Sequence, residues 1–147
     1  MDLIVIILAA LLLIGSISIA IPSRSSREIS KIRMEAKLIG CKITSNLYGE
    51  NKFKNHSKFS VSYRIKNKTN LKEGHFIRDK DKLILYSPVK LKYSDSFESL
   101  NEELQNISYS LEEVIFTSVS ISFLWKELDG LDELKEIIKN FDKLKKF

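Results

Sequence analysis

Residues Leu3–Ile14 read LIVIILAALLLI without a polar side chain, and Gly15–Ile21 extends the run with only small serines interspersed. That apolar segment constrains the chain more than any other feature. As a helix, its 19 residues rise about 28 Å, close to the ~30 Å hydrocarbon thickness of a bilayer. No side chain from Leu3 to Ile21 is charged, whereas a helix packed on a soluble domain normally keeps a polar face. The segment is therefore expected to enter a membrane, with residues 1–22 as an anchor and residues 23–147 as one soluble domain.

The alternative is a cleaved signal peptide, with Ser18-Ile19-Ala20 as a small-x-small site and an exported binding domain released after Ala20. A signal peptide wants positive residues before its apolar core, and only Met1 and Asp2 stand there. The cations follow instead: Arg24, Arg27, Lys31, Arg33 and Lys37, against Glu28 and Glu35. Positive-inside bias then favours an uncleaved anchor with the C-terminal domain on the cytoplasmic side. Leu38-Ile39-Gly40-Cys41 has the outline of a lipoprotein box, but the charged Lys31–Lys37 precede it where an apolar core is required. Cys41, the single cysteine, is read as a small buried hydrophobe. It also excludes an intrachain disulfide framework.

Charge divides the chain. From Pro22 to Tyr93 there are 18 Lys/Arg against 6 Asp/Glu, and from Ser94 to Phe147 only 6 Lys against 12 Asp/Glu. A basic membrane-proximal half and an acidic distal half favour anionic lipid, an acidic partner, or contact between copies of the chain.

Patterning supplies a coarse fold. Ile29, Ile32, Ala36, Ile39 and Ile43 recur at helical spacing, and the helix so predicted either lies on an anionic membrane surface or packs its apolar side on the domain. A first strand is expected near Leu38–Ser45, then a loop at Asn46–Ser57 containing Gly49. Phe59, Val61, Tyr63 and Ile65 alternate with polar residues as a second strand. His75–Ile77 and Leu83–Tyr86 flank a hairpin turn at Asp79–Lys82. Val89, Leu91 and Tyr93 alternate after Pro88 as an edge strand or a bend. Phe97, Leu100, Leu104, Ile107, Leu111 and Val114 step as one helix. Ile115, Thr117, Val119, Ile121, Phe123 and Trp125 share one face of a strand, and a last helix starts near Leu131. Strands first and helices later give an α+β domain: a small antiparallel sheet packed against two helices behind a transmembrane helix.

A search for chemistry finds little. His56 and His75 are the only histidines and sit in no metal-binding spacing. Pairing Cys41 with either as nucleophile and base has no local support. Glu102-Glu103, Glu112-Glu113 and Asp132-Glu133 read as solvated faces, because neighbours in sequence diverge on a helix. Lysines interleave with aromatics at Lys52–Lys54, Lys58-Phe59 and Lys90–Tyr93, as in nucleic-acid binders, but strand alternation alone produces that pattern. Sequons at Asn55, Asn67 and Asn106 matter only in a secretory lumen, and no stretch carries a motif specific to a known family. The expectation is a non-enzymatic, single-pass interaction or assembly protein without a cofactor. Its partners would be anionic headgroups, met by Arg24, Arg27, Lys31, Arg33 and Lys37, and another protein or a second copy.

Overall fold

The structure, a computed structural model, describes residues 1–45 and 52–147. Helix α1 (Asp2–Ala20) contains no buried residue, and it is long and apolar enough to cross a membrane. Its serines fit that environment. Ser16 and Ser18 donate to the carbonyls of Leu13 and Ile14 at 2.9 and 2.8 Å, so neither hydroxyl would enter hydrocarbon unpaired. Pro22 disfavours a helical Ile21, which is extended with ψ 114°. Ser23 then caps α2 (Arg24–Leu38), its side chain accepting from the Ser26 amide at 3.2 Å.

Among the described residues, six strands form one antiparallel sheet in the order β1-β2-β6-β5-β3-β4. They are β1 (Lys42–Ser45), β2 (Val61–Lys66), β3 (Glu73–Asp79), β4 (Lys82–Ser87), β5 (Leu111–Thr117) and β6 (Ser120–Trp125). Tyr63, Phe76, Val114, Phe116, Ile121 and Phe123 belong to the same core as residues of three helices. These are Ile32 and Ala36 of α2, Leu100 and Leu104 of α3 (Phe97–Gln105), and Leu134, Ile137 and Phe141 of α4 (Leu131–Lys143). Phe76, Phe116, Phe141 and Phe123 run edge-to-face through it, with successive ring centroids 6.0, 6.1 and 5.3 Å apart. Such geometry adds to the burial of each ring. The α+β class is as expected, and α2 joins the two expected covering helices.

Several boundaries differ from the sequence pattern, each for a physical reason. The hairpin at Asp79–Lys82 is present, with Lys80 at φ 54° in its turn. Val89–Tyr93 is a 3₁₀ helix rather than a strand: Leu91 turns toward the core while Val89 and Tyr93 face solvent. The helix predicted through Val114 stops at Gln105. Leu111 and Val114 belong to β5, where the register shifts between Leu111 and Glu113. One extra residue in a strand brings positions three apart onto one face, so the bulge imitates helical spacing.

The single strand predicted over Ile115–Trp125 is a hairpin. Phe116 pairs with Ile121, so even-numbered residues of β5 share a face with odd-numbered residues of β6. Ile115 and Thr117 therefore lie opposite to Ile121, Phe123 and Trp125, and Val119 sits exposed in the turn. The loop predicted at Asn46–Ser57 falls partly on residues 46–51, outside the described residues; its later part ends in a 3₁₀ turn at His56–Lys58.

Candidate functional site

The face that follows α1 in the chain is built on α2. Ile32 and Ala36 are buried and Ile29 is half-buried, so the apolar side of this helix packs on the domain rather than on lipid. Arg33 completes the attachment. Its Nε donates to Glu127 Oε1 at 2.7 Å and its Nη2 to Oε2 at 2.8 Å, a planar two-bond pairing suited to a guanidinium. The Tyr63 hydroxyl donates to the same Oε1 at 2.7 Å, and Arg33 Nη2 reaches Ser60 Oγ at 3.2 Å. The hydrogen bond to Glu127 raises the Arg33 pKa further, against the effect of burial. Burial, then the Glu127 carboxylate, push the Tyr63 phenol up. Arg33 and Tyr63 thus both stay protonated as donors to Glu127, in a latch that joins α2 to β2 and the 3₁₀ turn Glu127–Asp129.

The five predicted headgroup cations therefore separate. Arg24, Arg27, Lys31 and Lys37 are exposed; Arg24 has only a 3.9 Å approach to Glu28, with both side chains in solvent. Arg33 faces inward on Glu127. Glu127, Tyr63 and Ser60 carry no sequence signal for this role, since they are distant from Arg33 along the chain and meet it only through the fold. The exposed side of α2 also has an order the alternation of charges hides. Arg24, Arg27, Lys31, Met34 and Leu38 step by three, four, three and four residues and are all exposed. At about 100° per residue they form one stripe, opposite Ile32 and Ala36.

A second polar cluster lies on the other face of the sheet. Glu113, expected in a solvated pair with Glu112, is fully buried. The two diverge because they lie in a strand: Glu112 pairs with Lys126 at 3.1 Å near the surface, while Glu113 points under the segment 52–55. Its Oε1 accepts from the Lys54 amide at 2.7 Å and its Oε2 from the Asn55 amide at 2.9 Å. His75 Nε2 lies 2.5 Å from Oε1. Burial works to raise the Glu113 pKa, but the His75 contact and the two amides outweigh it and hold the carboxyl below its ordinary range. Tyr86 covers the imidazole edge-on at 5.0 Å, and Lys54 Nζ stands 4.9 Å over the Tyr86 ring. Every strong acceptor of this carboxylate is engaged by the fold, which makes it a fastening of residues 52–55 to the sheet.

The remaining candidates stay apart. Cys41 is buried at the junction of α2 and β1, and burial pushes its thiol up to about 11. His56 Nδ1 contacts the Phe53 carbonyl at 2.9 Å, and His75 is occupied by Glu113, so neither serves Cys41 as a base. Among the described residues no group of three or more His, Cys, Asp or Glu side chains can hold a metal ion. Of the sequons, Asn67 is consumed internally: its Nδ2 donates to the Leu71 and Thr117 carbonyls at 2.8 and 2.6 Å. No family model, curated protein or solved structure matches this chain, so the geometry of α1, α2 and the domain is what carries a function.

Proposed function

We propose that this chain is a single-pass, membrane-anchored, non-enzymatic interaction or assembly protein. Its domain is held against anionic headgroups on the cytoplasmic side, and its acidic distal surface meets a protein partner or a second copy. One observation carries the reading: a fully exposed apolar helix is joined by only Ile21, Pro22 and Ser23 to a helix that exposes Arg24, Arg27, Lys31 and Lys37. Each Lys or Arg close to an anionic surface contributes about 1 kcal/mol, so these four suffice to favour one orientation of the domain. Further support comes from α3 and α4, where Glu98, Glu102, Asp132 and Glu136 are exposed.

The lipid part is tested with a chain lacking residues 1–22, so that α1 does not dominate binding. Cosedimentation is expected with phosphatidylglycerol vesicles at low salt and not with phosphatidylcholine, and it weakens as salt shortens the Debye length. Equal binding to both lipids rejects the headgroup role. Anchoring predicts an intact mass that includes residues 1–20 for protein taken from native membranes. A reporter fused after Phe147 reads the side: activity in the periplasm or lumen refutes the cytoplasmic placement.

A further inference from the structure

The outward stripe of α2 is not uniformly basic. Its half nearer α1 carries Arg24, Arg27 and Lys31, while its far half carries Met34 and Leu38, 59% and 76% exposed. A lone exposed apolar side chain is ordinary. Here two stand one turn apart, in line with a run of cations, on a helix whose opposite side is already committed to the core. The other end of the same helix follows the apolar α1 after one short connector.

From these observations we infer that α2 lies in the plane of the membrane interface with this stripe downward. Met34 and Leu38 insert at the boundary between headgroups and acyl chains, while Arg24, Arg27 and Lys31 contact anionic headgroups. The inference rests on the membrane-anchored reading above and specifies the pose of the domain within it. Interfacial helices adopt this arrangement because apolar side chains enter some 5–10 Å while long cations reach back to the headgroups. The connector permits the change of direction, since Ile21 is extended and Pro22 interrupts the helical hydrogen bonding. The Arg33–Glu127 pairing and the burial of Ile32 and Ala36 then make the domain follow α2. The chain thus has two membrane contacts, the span and the far end of α2 some 22 Å away by helix rise.

The occupant is lipid because the stripe begins three residues after an apolar helix long enough to span a bilayer and opens with three exposed cations that complement anionic headgroups. A protein covering it instead is separated by experiment. The full chain with Leu38→Cys, and separately with Met34→Cys, is labelled with an environment-sensitive dye and reconstituted into phosphatidylcholine–phosphatidylglycerol vesicles. Cys41 is buried and its thiol titrates at about 11, so it stays unlabelled at neutral pH. Tyr93→Cys is the control, because Tyr93 is exposed beside β4 at the opposite edge of the sheet.

Labels at 34 and 38 are expected to emit at shorter wavelength than the label at 93. Their quenching by a lipid-borne quencher should exceed quenching by an aqueous one several-fold, with the reverse at 93. If both α2 labels remain open to the aqueous quencher while the chain resists carbonate extraction, the in-plane pose is wrong and anchoring stands. Labels shielded from both quenchers mean that protein covers the stripe, which also overturns the pose. A chain that carbonate extracts defeats the anchored reading itself, and the pose with it.

Discussion

A carboxylate with no solvent exposure needs every lone pair answered, and Glu113 shows how a sheet can arrange that. Two consecutive amides, Lys54 and Asn55, reach it from one side and His75 from the strand beside it. Glu113→Gln leaves these donors facing a neutral amide that can accept fewer of them. The variant is expected to lose about 2–3 kcal/mol, read as a lower unfolding temperature by the emission of Trp125, the single tryptophan. The folded carboxyl titrates below its ordinary range, so its stabilisation is whole at neutral pH. It declines once pH falls past the unfolded value near 4.3 and disappears below the folded one. The gap between wild type and Glu113→Gln is therefore expected to narrow below about pH 4. A gap that stays constant to lower pH assigns the cost to packing. None of this was legible in the sequence: Glu112-Glu113 looks like any surface acidic pair until the strand alternation sends one residue each way.

At the scale of elements, legibility followed the regularity of each segment. Alternation in Val61–Lys66 and the helical steps of Leu131–Lys143 gave the right element because nothing interrupts either period. β5 was hidden twice, by a bulge that mimics a helix at Leu111 and Val114 and by a turn without glycine or asparagine at Ser118-Val119. Arg78 compensates at the bulge, its Nε donating to the Leu111 carbonyl at 2.6 Å and its Nη2 to the Ser108 carbonyl at 3.0 Å. For α2, the periodicity gave the helix but left open whether its apolar side met lipid or protein. That choice is made by Tyr63 and Glu127, which the fold brings to Arg33. A double-mutant cycle on Arg33→Ala and Glu127→Ala measures the attachment. A coupling of about 1–2 kcal/mol is expected for a bidentate, half-buried pair. Additive losses would mean that α2 is held by Ile32 and Ala36 alone.

At the scale of the whole molecule, the opening run of apolar residues and the domain behave as separate physical objects. Not one residue of α1 is buried, and none belongs to the core cluster. The domain's own burial, from Ile32 to Leu144, is complete without it. A helix that buries none of its own side chains and adds nothing to the core contributes little folding free energy, so deleting residues 1–22 should leave the fold in place. The cap at Ser23 survives the deletion, because its side chain and the Ser26 amide both remain. The truncated chain is expected to unfold within about 3 °C of the full chain in micelles, with Trp125 still emitting as a buried indole. Its solubility should rise sharply, since the exposed run from Leu3 to Ile21 is the largest apolar surface described. A large fall in unfolding temperature would mean that α1 packs on the domain in the assembled protein. That contact would have to cover part of the domain surface that is exposed when α1 stands apart from it.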